Sequence, residues 1–212
     1  MNQQWYNIGA FTFPGSWAAI VAAFILTFLF LFFWNKKASD WYSNAVFYFI
    51  LTWKLSVIVV DFNTVIKHPL TILYFHGGTA GYWIGIAVVL IYTFIKKENP
   101  YHVLAAWVMT VLIYEGVFDI LHGIYIFGGA QLILNSLLLL FLLKKLNTTG
   151  KEVWSMQLLI IFTLIQLLLN SSGGFEIETP LLTYIVITIV LLYLLKKDEQ
   201  TKSIKQGGKI SE

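Results

Sequence analysis

The sequence lacks two residue types altogether and carries little charge. Its 212 residues include no cysteine and no arginine, so all fourteen cationic side chains are lysines. Without cysteine the chain has no disulfide, no thiolate nucleophile and no thiolate metal ligand. Only 12% of the residues are charged, 58% are hydrophobic and the mean hydropathy is +0.74. A water-soluble domain of this size exposes more polar surface than this composition supplies, so the soluble class is excluded.

Long apolar runs take the place of the missing charge. A helix rises about 1.5 Å per residue and needs roughly 17 to 25 residues to cross a bilayer. The runs predict an all-α polytopic membrane protein with about seven transmembrane helices. We place them near 14–34, 41–60, 79–95, 101–118, 129–143, 153–170 and 181–195. Three of these are short, and we expect neighbouring residues to extend them.

The lysines predict the orientation of these spans. Four lysine pairs close apolar runs, and each follows an odd-numbered span: Lys36–Lys37, Lys96–Lys97, Lys144–Lys145 and Lys196–Lys197. Lysine-rich loops stay in the cytoplasm, so the N-terminus is predicted outside and the C-terminus inside. We expect one transmembrane domain over residues 1–197 and a polar, disordered cytoplasmic tail over 198–212. The net charge of +3 gives no reason to expect nucleic acid as a partner.

This orientation places one unusually polar stretch outside, between spans two and three. It reads "DFNTVIKHPLTILYFHGGTAGYWIG", residues 61–85. The segments 115–129 and 170–180 share that side, so any chemistry is predicted to face outward. We interpret the stretch as the rim of a cavity, where Gly77 and Gly78 would let the backbone approach a ligand head group closely.

Lys54 lies inside span two, where a charge is expensive. A charged side chain near the centre of a membrane helix costs roughly 2.5–3.5 kcal/mol, so it usually has a partner or lines a wet cavity. Asp61 follows seven residues later, two turns along the same face of a continuous helix. Lys54 therefore either extends outward to pair with an acid or holds an anionic group.

A second polar group closes span four in "LIYEGVFDILHG". Glu115, Asp119 and His122 are spaced by four and three residues, which puts them on one stripe of a continuing helix. Such a stripe could be an acid–base cluster, a metal site, the counter-ion of Lys54, or simply a solvated helix end. The spacing is far less specific than a zinc signature, and we expect neither a metal nor a cofactor.

Four amides lie deeper in the apolar runs. Gln131 and Asn135 share a face of span five, and Gln166 and Asn170 share a face of span six. In a membrane such amides join helices more often than they bind ligands, typically for about 0.6 kcal/mol per bond. We therefore expect them to hold spans together.

In order and spacing, several short motifs resemble the bacterial prolipoprotein diacylglyceryl transferases over residues 1–195. The opening "YNIGAFTFPGSWAAIV" is similar to the family's start, in which a short strand-like piece precedes span one. "WKLSV" carries Lys54 where the family has an arginine, and "HPL" and "GG" follow as in the family. "GGAQLILNSLLLLFLL" matches at Gln131, and "MQLLIIFTLIQLLLN" and "TPLLTYIVITIVLL" fit the last two spans.

The resemblance implies a fold with seven spans in the bacterial cytoplasmic membrane. It also implies transfer of diacylglycerol from phosphatidylglycerol to the cysteine of an exported lipoprotein. Lys54, with Asp61, Gly77, Gly78 and Gln131, would then bind substrate. His76 or His122 would act as base, oriented by Glu115 and Asp119.

The departures from the family are as informative as the matches. The family's essential loop histidine has no direct counterpart here, and its signature arginines are absent. Arginine grips phosphate through two parallel hydrogen bonds, whereas lysine supplies only a point charge. Two alternatives therefore stay open: a protein that binds lipid or lipoprotein without catalysis, and a small proton-coupled transporter.

Overall fold

The structure, a computed structural model, describes residues 5–8, 11–70, 72, 75–146, 148, 150–171 and 179–207. The chain groups into two compact units. Unit 1 contains residues 1–27 and 99–212, and unit 2 contains residues 28–98. Each unit is described by itself, whereas the sequence led us to treat residues 1–197 as one domain.

The described residues form two short strands followed by helices. The strands are β1 (Trp5–Ile8) and β2 (Phe11–Pro14). The helices are α1 (Gly15–Trp34), α2 (Lys36–Leu55), α3 (Val57–Val60), α4 (Phe62–Lys67), α5 (Gly78–Lys96), α6 (Pro100–Leu121), α7 (Tyr125–Lys145), α8 (Lys151–Ser171) and α9 (Thr179–Gly207).

The prediction of seven spans is confirmed. In the described part of the chain, seven helical segments are long and apolar enough to cross a membrane. They are Gly15–Trp34, Lys36–Val60, Gly78–Lys96, Pro100–Leu121, Gly128–Lys145, Lys151–Asn170 and Thr179–Lys202. The three spans that were expected to be short gain residues at their ends, as the thickness of a bilayer requires.

Unit 1 opens with a β-hairpin. β1 and β2 pair antiparallel, with Trp5 opposite Pro14 and Ile8 opposite Phe11. The hydroxyl of Tyr6 donates a hydrogen bond to the backbone carbonyl of Leu121 at the end of α6. This bond holds the hairpin next to the end of α6 that carries the predicted polar stripe.

The core of unit 1 is built around α6, the most buried of the candidate spans. α6 packs against α7, α8 and α9. Leucines fill the interior, and five of them are almost wholly buried: Leu104, Leu142, Leu159, Leu191 and Leu195. At Gly116, a Cβ would lie 2.2 Å from a methyl carbon of Leu132, so only glycine lets α7 approach α6 this closely.

The helix that follows Thr179 is longer than the sequence suggested. α9 continues to Gly207 and so includes residues 198–207 of the predicted tail, while 208–212 lie outside the described residues. Lys202 lies 2.5 Å from the carboxylate of Asp198, one turn earlier, and 3.4 Å from Glu152 on α8. These ion pairs support the helix beyond its apolar part.

In unit 2, α2 packs against α5 through aromatic side chains and small residues. The ring of Phe49 on α2 contacts the ring of Tyr82 on α5 edge-on, with 5.6 Å between the centroids. Gly85 on α5 leaves room for the Phe49 ring. α2 ends at Leu55, and a single turn at Ser56 separates it from α3. Asn35 caps the start of α2 by accepting a hydrogen bond from the backbone N–H of Ala38 at 3.1 Å.

Candidate functional site

Glu115 is a buried acid inside unit 1. Its side chain is 4% exposed, so the solvated helix end considered above does not describe it. One carboxylate oxygen, Oε1, accepts two hydrogen bonds, from the hydroxyl of Tyr184 on α9 and from the amide of Asn170 on α8 at 3.2 Å. Donors from two other helices therefore compensate a group that is costly to bury.

The amides of α7 and α8 extend this polar group inward. Gln131 Nε2 donates to Gln166 Oε1 at 2.9 Å, and Gln166 Nε2 donates to Asn135 Oδ1 at 2.8 Å. Asn170 Nδ2, which also bonds Glu115, donates to the backbone carbonyl of Gln166 at 3.0 Å. The amides join helices, as expected. Together with Glu115 and Tyr184 they form one continuous set of hydrogen bonds, which we call the interhelical polar chain.

The interhelical polar chain ends inside the unit. Gln166 and Asn135 are 0% exposed, and Asn135 Nδ2 has no hydrogen-bond partner among the described residues. Toward the lysine-bearing ends of the same helices, apolar side chains surround a gap of about 10 Å³: Leu104, Val108, Leu138, Leu142, Leu158, Leu159 and Phe162. This layer separates the chain of amides from the lysine-bearing helix ends.

Asp119 and His122 lie at the end of α6, beyond Glu115. Asp119 is half-buried, one helical turn after Glu115 and three residues before His122. Its side chain fits against Gly128, where a Cβ would lie 2.6 Å from the Cβ of Asp119. The structure thus brings together the three side chains that the spacing placed on one stripe.

His122 is fixed by its own helix. It follows the last residue of α6, and its Nδ1 lies 2.8 Å from the backbone carbonyl of Phe118. The imidazole stacks on the Phe118 ring with 4.0 Å between centroids. Both contacts restrict the direction in which the other ring nitrogen, Nε2, can point.

In unit 2, the chain before α5 returns to the end of α2 that carries Lys54. Gly77 N–H donates to the carbonyl of Trp53 at 3.3 Å, and Trp53 Nε1 donates to the carbonyl of Gly78 at 3.1 Å. The imidazole of His76 lies over the Trp53 ring at 4.7 Å between centroids. We call this junction the α2–α5 junction.

The electrostatics of the α2–α5 junction act on His76. Burial, together with the positive charge of Lys54, lowers the pKa of the His76 imidazole from its ordinary value of 6.5. Nδ1 of the ring accepts a hydrogen bond from the backbone N–H of Gly78 at 3.0 Å. His76 is therefore a neutral ring at neutral pH, held to the start of α5.

The glycines of the predicted rim have different surroundings. A Cβ at Gly77 or at Gly81 would lie 2.0 Å from Oγ of Ser56, so these glycines let α5 approach α2 closely. Gly78 has open space around it and a φ of +58°, which favours glycine for its backbone conformation. Of the two predicted head-group glycines, Gly78 has room beside it and Gly77 contacts a neighbouring helix.

Asp61 takes no part in the α2–α5 junction. It is exposed and lies between α3 and α4, where its backbone N–H donates to the carbonyl of Val57 at 2.9 Å. Ser56 keeps helical dihedral angles between α2 and α3, and Asp61, with a φ of −133°, follows the last residue of α3, so the expected pairing of Lys54 with an acid stays a prediction.

Two side chains of these sites were missed from the sequence. In the sequence, Tyr184 belongs to a predicted apolar span, and Trp53 is one of eight tryptophans. A hydroxyl inside an apolar run is a signal for Tyr184, since a buried tyrosine usually bonds a polar partner. Nothing in the sequence marks Trp53 as the residue that His76 and Gly78 contact.

Among the described residues, no group of three or more histidine, aspartate and glutamate side chains could hold a metal ion. Comparisons with models of known protein families, with curated proteins and with solved structures find no match to this chain.

Proposed function

We propose that the chain is a phospholipid-handling membrane protein similar to the prolipoprotein diacylglyceryl transferases, acting at the outer side of the bacterial cytoplasmic membrane. Its ligand would be an anionic phospholipid such as phosphatidylglycerol, and an exported lipoprotein would be its second partner. The support is the order of motifs over residues 1–195, together with the seven apolar helices.

One observation carries the proposal: two hydrogen bonds join Trp53, the residue before Lys54 on α2, to Gly77 and Gly78 at the α2–α5 junction. The motifs that place Lys54 and the Gly77–Gly78 pair at the family's binding positions are 23 residues apart in sequence. These bonds bring the end of α2 that carries Lys54 to the glycine pair. A lysine on one helix end and a glycine with open space on the other suit a phosphate group, because the backbone can approach it closely.

The same residues favour binding over efficient transfer. A diacylglyceryl transfer must stabilise the negative charge that grows on the departing phosphate. Each lost donor aimed at such a charge lowers a rate by about 10²–10³. Lys54 supplies one compact charge where an arginine would supply a fork of two hydrogen bonds.

The binding experiment uses the full chain in nanodiscs and native mass spectrometry. We expect retained phosphatidylglycerol in preference to phosphatidylcholine. Lys54→Gln should weaken that retention about tenfold or more, because one charge-assisted bond is lost. Lys67→Gln is the matched control, since Lys67 is an exposed lysine at the end of α4. Equal retention of both lipids, or no effect of Lys54→Gln, would refute the binding proposal.

A complementation experiment separates the enzyme from the binder. The chain is expressed in a strain that lacks its diacylglyceryl transferase, with its presence in the membrane verified. Growth and lipid-modified lipoprotein would establish transfer, and their absence alongside lipid binding would establish a non-catalytic binder.

Transport is the less favoured alternative. A proton-coupled transporter needs ionisable or polar groups that continue across the membrane. In unit 1 the interhelical polar chain stops at Asn135, and the apolar layer around the 10 Å³ gap follows it.

A further inference from the structure

The two histidines of the candidate sites use the same ring nitrogen in opposite ways. Nδ1 of His76 faces the backbone N–H of Gly78 at 3.0 Å. Nδ1 of His122 faces the backbone carbonyl of Phe118 at 2.8 Å. A backbone N–H can only donate and a carbonyl oxygen can only accept, so the partners differ in what they require of the imidazole.

These partners decide which nitrogen carries the proton in each neutral ring. A neutral imidazole has one N–H and one lone pair. Nδ1 of His76 must offer its lone pair to Gly78, so the proton of His76 is on Nε2. Nδ1 of His122 must donate to Phe118, so the proton of His122 is on Nδ1 and the lone pair is on Nε2.

The two rings also differ in which hydrogen bond a second proton would break. Nε2 of His122 can take up a proton while Nδ1 keeps its bond to the Phe118 carbonyl. A protonated His76 would lose the hydrogen bond from Gly78 and would be repelled by the charge of Lys54.

We propose that His122 is a proton-accepting histidine, through Nε2, and that His76 is a positioning residue that holds the start of α5. The assignment goes beyond the proposed function, whose lipid site is in unit 2, because it concerns proton uptake by a ring of unit 1.

Nitrogen NMR tests the assignment directly on the full chain in nanodiscs. Two single-histidine variants are labelled with ¹⁵N-histidine: one keeps His76 and the other keeps His122, with the remaining histidines changed to glutamine. At pH 7.5 we expect the proton on Nε2 in the His76 variant and on Nδ1 in the His122 variant. The same tautomer in both variants, or the reverse pattern, would overturn the proposal.

Chemical reactivity gives a second readout that does not depend on turnover. The lone pair of a neutral imidazole attacks diethyl pyrocarbonate, so Nε2 of His122 should be modified and the Gly78-bonded Nδ1 of His76 should be protected. Equal reactivity of the two histidines in the parent chain would contradict the assignment.

The lipid-binding experiment keeps the two proposals apart. Should retention of phosphatidylglycerol be absent while the two tautomers are found as expected, the proposed function fails and the assignment of the proton-accepting histidine stands.

Discussion

Tyr184 on α9 donates its hydroxyl hydrogen to the carboxylate of Glu115 on α6, across 69 residues of sequence. Asn170 on α8 bonds the same carboxylate oxygen at 3.2 Å. Three helices of unit 1 therefore converge on one buried acid. The acid is costly to place in an apolar interior, and its donors make the arrangement specific to this packing of helices.

Removing the hydroxyl of Tyr184 should destabilise unit 1. In Tyr184→Phe, Glu115 keeps its burial but loses one of two donors, so the free energy of unfolding should fall by about 1–3 kcal/mol. Denaturant unfolding in mixed micelles, followed by near-UV circular dichroism, measures the change. Tyr193→Phe is the control, since Tyr193 is an exposed tyrosine on the same helix. An equal effect of both variants would contradict the role of the Glu115 bond.

Gln166 is hydrogen-bonded to both buried amide side chains of α7, Gln131 and Asn135. Gln166→Leu removes the partner of both Gln131 and Asn135, so two buried amides lose a hydrogen bond and the free energy of unfolding should fall by about 1–3 kcal/mol. Gln157→Leu on the exposed face of α8 should change it by less than about 0.5 kcal/mol. The Gln131→Ala/Gln166→Ala double-mutant cycle would isolate the bond between them. A coupling energy near zero would show that the two amides act independently.

Gly81 should not tolerate a side chain while Ser56 faces it. In Gly81→Ala the new Cβ would lie 2.0 Å from Oγ of Ser56, so either Ser56 gives up its hydrogen bond to the Trp53 carbonyl or α2 and α5 separate, at a cost of about 1–3 kcal/mol. In a Ser56→Ala background the nearest atom of residue 56 is its Cβ at 3.1 Å, and most of the loss should disappear.

Gly129→Ala provides the control for Gly81→Ala, because nothing lies within 4 Å of a Cβ at that position. It should be neutral or stabilising by about 0.5–1 kcal/mol, as alanine is the better helix former. Thermal unfolding of the three variants in the same detergent measures the differences. A Ser56→Ala background that fails to rescue Gly81→Ala would place the clash elsewhere.

The α2–α5 junction should weaken in acid. The pKa of His76 is lowered in the folded protein, so its contribution to stability is fully present above 6.5, the unfolded value, and is lost as the pH falls through the folded value. The slope of the unfolding free energy against pH should rise by at most about 1.4 kcal/mol per pH unit, which is the effect of one proton. Unfolding free energies between pH 5 and pH 8 measure it.

His76→Gln supplies the reference for this titration. The variant cannot take up the proton, so its stability should depend less on pH below 6.5 than that of the parent chain. If the unfolding free energies of the parent chain and of the His76→Gln variant change in parallel with pH, the prediction is wrong.

Hydropathy and lysine spacing were enough to predict the seven spans, because crossing a bilayer depends on local length and apolarity. The i, i+4 spacing also placed Glu115 and Asp119, and the two amide pairs, on common faces. These are properties that neighbouring residues determine, and for the spans the structure confirms them.

The partners of these residues could not be predicted from spacing. Whether Glu115 meets Tyr184, or Gln166 lies between Gln131 and Asn135, depends on which helices pack together and at what rotation. The same limit explains the tail: residues 198–207 look disordered alone, and Lys202 becomes ordered through Glu152 on another helix. The close approach of Gly81 to Ser56 likewise depends on two helices at once.

The length of α9 has a practical use. Its 29 residues span about 43 Å, whereas the hydrocarbon of a bilayer is about 30 Å thick. Its last turns therefore extend past the apolar layer, where Lys202 forms an ion pair with Glu152 on α8. A soluble domain fused in helical register after residue 207 would move together with α9. This would give single-particle imaging of a 24.3 kDa chain the asymmetric mass that it needs for alignment.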